Sequence, residues 1–254
     1  MARTSIAAAF AACALVFGDG PVMAAEIKVI ASPGVRALLR ELAPQFESTM
    51  GHKVVMEFDV IAVLKRRIEA DEAFDIVIPG PELIDELIKQ GKVAADTHAA
   101  LGRTGIALAV RKGAPKPDIS TPEALKRALL GAKAVGHSKQ GQSGVHFREA
   151  LNRLGIAQEM GPKLRAFEEG GQAVAIEKGE IDFAVGGTGP IMETPGTDFL
   201  GSLPPALQSY VKFSIGVSTA SREPQAARVL VRFLTSPAVA PAFKSKQHRR
   251  SRAC

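Results

Sequence analysis

The sequence predicts an α/β fold of two lobes, each a mostly parallel sheet flanked by helices. Short β-branched runs alternate with amphipathic stretches at helical spacing. The alternation breaks at a Pro-rich connector and then begins again. The 254 residues fit one large domain or two small ones, so two lobes that each use part of the chain agree with its length.

The first twenty-four residues are expected to stand outside that fold. Arg3 is followed by the apolar run Ile6 to Phe17, a Gly-Asp-Gly-Pro breaker and Val22-Met23-Ala24-Ala25. A basic start, an apolar core too short to span a bilayer and a small-residue site read as a secretory leader, 1–24, with cleavage after Ala24. The protein is therefore expected to be exported to the periplasm. Cys13 lies in the leader and Cys254 is the last residue, so the remaining chain makes no internal disulfide.

From there the elements follow in order. Ile27–Ala31 reads as a strand, and Val35, Leu38, Leu39, Leu42 and Phe46 mark one stripe of a helix. Val54–Phe58 is a second strand, followed by a short helix carrying Ile61, Leu64 and Ile68. Phe74–Ile78 is a third, and the helix with Leu83, Ile84, Leu87 and Ile88 ends where Gly91 can take the left-handed conformation. After Ile106–Val110 and the connector Gly113–Asp118, Thr121 caps a helix that begins at Pro122. Ala134–Gly136 leads to a helix over Ser143–Leu154, Leu164–Phe167 to a short helix ending at Gly179, and Asp182–Val185 to a Gly-rich turn. Lys212–Val217 is the last strand, and a helix from Pro224 closes the chain. If that helix packs back on the first lobe, lobe 1 is discontinuous, 25–104 and 215–246, and lobe 2 is 105–214.

Charge excludes one class of partner. The net charge is +6, but residues 244–254 carry five cations and no acid, and Arg3 cancels Asp19. The body that remains is near +1, with one Tyr and no Trp. Nucleic-acid binding needs clustered cations with interleaved aromatics on a folded face, so it is not expected. The basic tail, 247–254, reads as a disordered terminus or an altered reading frame ahead of a contact with a membrane surface or a partner.

In an open α/β sheet, ligands bind where strands end in loops that lead into helix starts. Five such loops here are small and polar: Ala31–Gly34, Pro79–Pro81, Ser138–Gly144, Glu169–Gln172 and Gly186–Gly189. Hydroxyls and open backbone N–H groups at helix starts favour an anion. One such loop is an ordinary cap or turn, but five converging from two lobes would make an anion cleft. Other chemistry is missing. Gly186–Gly189 lacks dinucleotide spacing, no phosphate loop ends in Gly-Lys-Ser/Thr, and Gly141–Gly144 departs from the nucleophile elbow. His137 and His146 stand nine apart without zinc spacing, so neither metal nor other cofactor is expected.

The opening Ile27–Ser32, the Phe74–Ile78 strand before Leu83, Lys89–Val93, Ser143-Gly144-Val145, Glu177–Asp182 and the closing 224–237 helix together resemble the periplasmic molybdate-binding-protein-like family. These are type II solute-binding proteins of ABC transporters. The resemblance runs in order over nearly the whole mature chain. It implies two lobes that close on a small oxyanion or organic anion by a hinge, as a monomer that delivers to a membrane permease.

Carried over residue by residue, the resemblance is partial. Ser32 matches the serine after the first strand, and the Ser143 loop matches the backbone-donor loop of the second lobe. The second serine of the molybdate binders is replaced here by Asp59-Val60-Ile61-Ala62, and their tyrosine near Gly186-Gly187 is absent. The ligand-binding candidates are Ser32, Gly34, Asp59, Val60, Gly80, Gln142, Ser143, Gly144, Gly171, Gln172, Gly187 and Thr188. A carboxylate beside a dianion is repulsive, so Asp59 turns away, caps the next helix or meets donor groups of the ligand, with capping favoured. No catalytic residue is expected. The wider resemblance includes a periplasmic aconitate isomerase, for which Asp59, His137 and His146 would be the acid–base candidates.

Overall fold

The computed structural model describes residues 24–168 and 171–239. The expected leader up to Met23, the loop residues Glu169 and Gly170, and everything from residue 240 on, the basic tail included, lie outside the described residues.

The chain opens with three strand–helix units: β1 (Glu26–Ala31) and α1 (Arg36–Met50), β2 (Lys53–Phe58) and α2 (Ile61–Glu69), then β3 (Ile76–Ile78) and α3 (Pro81–Lys89). The three strands pair in parallel in the order β2-β1-β3. Successive residues of β1 point to opposite faces. Ile27, Val29 and Ala31 join the core cluster that contains Phe46 and Leu230, whereas Ile30 packs with Leu64, Ile68, Leu83 and Leu87. Both faces are covered, which explains the continuous apolar runs in these strands. Gly91 follows α3 at φ 71°, the left-handed stop its position suggests.

β4 (Ala99–Arg111) is longer than the run that announced it. Its first half, from Ala99 to Gly105, pairs antiparallel with β9 (Tyr210–Val217), which also borders β3. From Ile106 onward β4 leaves β9 and pairs with β7 (Phe183–Gly187) on one side and β8 (Thr197–Ser202) on the other. The sheet therefore passes from one lobe to the other through β4, with β2-β1-β3-β9 on one side and β7 on the other. The second lobe has α4 (Pro122–Gly131), β5 (Val135–Ser138), α5 (Gln142–Arg153), α6 (Ala157–Met160), β6 (Leu164–Phe167), α7 (Gly171–Glu177) and α8 (Thr188–Glu193). Strands β6, β5 and β7 are parallel. Thr121 caps α4 by accepting the Ala124 N–H at 3.1 Å.

β8, α6, α8 and the first half of β4 depart from the expected elements. The Gly-rich turn after Val185 is instead the end of β7 followed by α8. Pro190 sits in the first turn of that helix, where a missing N–H is harmless.

The closing helix, α9 (Pro224–Leu234), packs on α1 with Phe46 and Phe233 ring centroids 5.5 Å apart, and two polar networks brace the first lobe, the first of which reaches the segment before α9. Asp75, 7% exposed, accepts the Lys28 N–H at 2.8 Å with one oxygen. Its other oxygen accepts the Ser221 hydroxyl at 2.6 Å and the Arg222 N–H at 3.1 Å, just before α9. The second network centres on Arg67 of α2, which donates to Asp59, Glu57 and Glu72, while Lys28 pairs with Glu72 and Glu57 at 2.9 and 3.2 Å.

Asp75→Ala would strand three donors around a buried site, and a loss of about 3 kcal/mol is expected in chemical denaturation. The second network makes stability depend on pH. Hydrogen bonds from Arg67, then from Lys28, hold the Glu72 carboxyl down at about 2, below its ordinary value of 4.5. The contribution is complete above the unfolded value and is lost as pH falls from about 4.5 toward 2. Denaturation midpoints across that window should fall less steeply for Arg67→Met than for wild type.

Candidate functional site

A cleft of about 370 Å³ lies between the lobes. That size is typical of a small-molecule site. Its walls come from the ends of the strands and the starts of the helices. Ser32, Pro33 and Gly34 follow β1, Val60 and Ile61 open α2, Gly141, Gln142 and Ser143 open α5, and Gly186 and Gly187 end β7.

The helix starts at the cleft are open. Neither Val60 at the start of α2 nor Gly141 at the start of α5 supplies a side-chain cap. Their first N–H groups therefore have no partner within the helix, and the positive ends of two helix dipoles meet at one cavity. Ser32 adds a donor. It is 6% exposed, and its Oγ is the one buried side-chain polar atom without a hydrogen-bond partner among the described residues. A buried orphan hydroxyl costs about 1–3 kcal/mol, and a ligand atom in the cleft would satisfy it. Gln172 contributes in a fixed sense: its Oε1 accepts the Val185 N–H at 3.0 Å, which leaves the NH₂ end as the group to offer a ligand.

Of the twelve candidate positions, Ser32, Gly34, Val60, Gln142, Ser143, Gln172 and Gly187 line the cleft. Five do not. Asp59 turns away, its carboxylate accepting from Arg67 at 3.0 Å. It is not the helix cap either, because Val60 takes that position, so the favoured expectation gives way to an ion pair two turns along the same helix. The Thr188 hydroxyl, 1% exposed, donates to the Gly105 carbonyl at 3.0 Å and ties α8 to the point where β4 changes partners. Gly144 permits close packing, since a Cβ there would lie 2.1 Å from the Ser138 carbonyl oxygen. Gly171 packs on the Phe167 ring, and Gly80 stands behind the lining, a Cβ there falling 3.6 Å from Gln142 Nε2. Gly34 serves by absence: a Cβ would come within 2.4 Å of the Phe213 ring, which forms part of the cleft wall.

The acid–base candidates are all outside. The His137 Nδ1–H donates to the Ser138 carbonyl at 2.9 Å, and burial pushes the ring below its ordinary value, so it is neutral at pH 7. His146 pairs with Glu149 at 3.1 Å on the outer face of α5. Among the described residues, the ionisable side chains that do line the cleft are Arg36, Glu168 and Glu193. Glu168 is paired with Lys139 at 3.2 Å.

Arg36 carries no signal in the sequence beyond being a polar residue on an amphipathic helix. It is the first residue of α1. Its guanidinium lies over the Phe58 ring, 5.1 Å from the centroid. Thr104, Val211 and Phe213 were likewise hidden, because they reach the cleft only through the crossing of β4 and β9, whereas Ser138 and Gln140 fall within the Ser138–Gly144 loop.

Two α/β lobes joined by crossing strands, with an anion-ready cleft between them, define a solute-binding protein. Residues 27–246 match the family described as bacterial extracellular solute-binding protein, and the chain belongs to that family. It is 30% identical over 241 residues to the aconitate isomerase of a Pseudomonas species, covering 91% of this chain and 92% of that protein. It is 23% identical over 243 residues to the molybdate-binding protein ModA of Escherichia coli K12, covering 92% and 94%. The fold is similar to the periplasmic molybdate-binding protein of Azotobacter vinelandii, with a TM-score of 0.72 at 17% identity over 87% of this chain and 97% of that one.

Ser32→Ala removes a group whose burial is uncompensated in the empty protein. The empty variant should be as stable as wild type or up to about 1 kcal/mol more stable in thermal unfolding. A destabilisation above that size would show that the hydroxyl already has a structural partner.

Proposed function

We propose that this protein is the solute-binding component of an ABC-type importer, capturing a small anion, an oxyanion or a small organic carboxylate, between its lobes by hinge closure. The observation that carries it is the buried, partnerless Ser32 hydroxyl at a cleft into which the uncapped starts of α2 and α5 open. Ser32 and these helix starts offer O–H and N–H donors, which suit an anion. Closure brings donors of both lobes onto one ligand and excludes water, which strengthens each bond.

The exchange of partners by β4 between Gly105 and Ile106 supports a division into lobe 1 (25–104 and 215–246) and lobe 2 (105–214). Ser32 and Val60 then face Gln142, Ser143, Gln172 and Gly187 across the cleft. The leader at 1–24 delivers the protein to the periplasm, where it works as a monomer with a membrane permease and without a cofactor, a metal or nucleic acid.

The experiment is thermal unfolding of residues 25–254 with molybdate, tungstate, sulfate, phosphate, citrate, trans-aconitate and simple dicarboxylates. A ligand at about a hundred times its dissociation constant adds about 2.7 kcal/mol, which is roughly 5–11 °C in midpoint at this size. A saturable shift of that order with at least one anion is expected, and it should shrink in Ser32→Ala. No shift with any anion would refute the proposal.

The similarity to aconitate isomerase favours a second reading, in which the same cleft moves a proton on a bound tricarboxylate. Asp59, His137 and His146 do not line the cleft, so the proton carrier would be Glu193 or Glu168. On the binding reading, trans-aconitate incubated with the protein stays unchanged by NMR. Turnover that disappears in Glu193→Gln or Glu168→Gln would establish the isomerase instead.

A further inference from the structure

We infer that the ligand is an organic anion with a carbon body, a carboxylate of several carbons, whose acid group meets Ser32 and the open starts of α2 and α5 while its chain lies on an apolar floor made by β9 and Ile61. The inference rests on the small-anion reading above and names the class of ligand.

Depth sorts part of the cleft lining by polarity. Val211 and Phe213 stand two apart on β9 and so share one face, while Tyr210 and Lys212 on the other face are exposed. Both line the cleft, yet they are only 8% and 3% exposed and belong to the main core cluster, so the core itself surfaces as the cleft floor. Ile191 of α8 lines the cleft and is buried in the same way. The carboxylates of the lining, Glu168 and Glu193, are exposed instead, and Glu168 is paired with Lys139 at 3.2 Å.

Side-chain contacts tie this floor to the anion site. The tip of the Phe213 ring packs on Gly34, two residues after Ser32, so closely that a Cβ at Gly34 would lie 2.4 Å from it. On the α2 side Ile61 reaches toward Gly80, its Cδ1 3.5 Å from where a Cβ would stand there, and Gln142 Nε2 lies 3.6 Å from the same point. The apolar end of Ile61 and the first turn of α5 therefore meet at one place. An acid group bound by Ser32 and the two helix starts has apolar surface beside it from both β9 and α2.

Closure then selects by shape of charge. A tetrahedral oxyanion presents oxygens in every direction, and those turned toward Val211, Phe213 and Ile61 would lose water without gaining a hydrogen bond. A carboxylate is polar at one end only. Its oxygens take the donors, and its chain and the floor remove apolar surface from water together.

The test is calorimetric titration of wild type, Val211→Thr and Ile61→Thr with two homologous series, acetate to butyrate and malonate to glutarate, and with sulfate and molybdate. Burying one more methylene is worth about fourfold in affinity. In the series that binds, the longest member should therefore bind wild type about tenfold or more tighter than the shortest, and tighter than sulfate or molybdate. Val211→Thr nearly keeps the side-chain shape and puts a hydroxyl in place of a methyl on the floor, and the ratio of longest to shortest should fall to about threefold or less. Ile61→Thr should lower the same ratio, and it carries the test if Val211→Thr does not fold, since Ile61 is only half-buried. The ratio compares two ligands on one protein, so a general loss of stability leaves it unmoved. Equal affinity along both series, a preference for sulfate or molybdate, or a ratio unchanged in the variants would overturn the carbon-bodied ligand while leaving the anion reading intact. Absence of binding by every anion would overturn both.

Discussion

The cleft exists because β4 changes partners in mid-strand. Up to Gly105 its edge is satisfied by β9, and from Ile106 by β7 and β8. At the exchange the ladder would have a gap, and the Gln208 side chain fills it: its Oε1 accepts the Ile106 N–H at 2.7 Å and its Nε2 donates to the Ile106 carbonyl at 3.1 Å. A buried backbone pair left open there would cost more than the amide's lost freedom. The Thr188 hydroxyl on the Gly105 carbonyl secures the neighbouring residue. Two strands crossing at a braced point can flex while the sheets on either side stay rigid, as the proposed hinge closure requires.

Everything in the cleft follows from what that crossing brings together. The strand ends of each lobe point their following loops at the gap, so helix starts arrive there in numbers. Networks behind the lining keep those starts in place. Arg67 gathers Asp59, Glu57 and Glu72 and so holds the start of α2 against β2. Gly34 lets Phe213 approach the turn that carries Ser32, and Gly144 lets α5 lie on β5. Asp59, the carboxylate just before α2, is thus spent on architecture.

Much of this was legible in the sequence, for physical reasons that can be named. The buried strands β1, β3 and β7 announce themselves because both faces are covered, which forces continuous apolar residues. Helices α1 to α5 and α9 show their stripes and stops. β8 did not, because Thr197-Asp198-Phe199-Leu200-Gly201-Ser202 is half-buried and carries no alternation. Residues 99–105 of β4, with two glycines and an arginine, become a strand only through pairing with β9, a tertiary effect without local signature. In the site, loops rich in small residues pointed to the right places, but small residues serve two ends. Ser32 and Ser143 line the cleft, whereas Gly144, Gly171 and Thr188 support packing. Spacing cannot separate those roles, and neither can it show that Asp59 finds Arg67 or that Arg36 lines the cleft.

The central claim is that backbone N–H groups at two helix starts from opposite lobes receive the same anion. It is tested most directly by ¹⁵N-edited NMR of the labelled protein, titrated with whichever anion raises its thermal midpoint most. The amides of Ile61, Ala62, Gln142 and Ser143 are predicted to shift together and saturate at one concentration. If those four resonances stay in place while the anion binds and moves others, the anion sits elsewhere and the account is wrong.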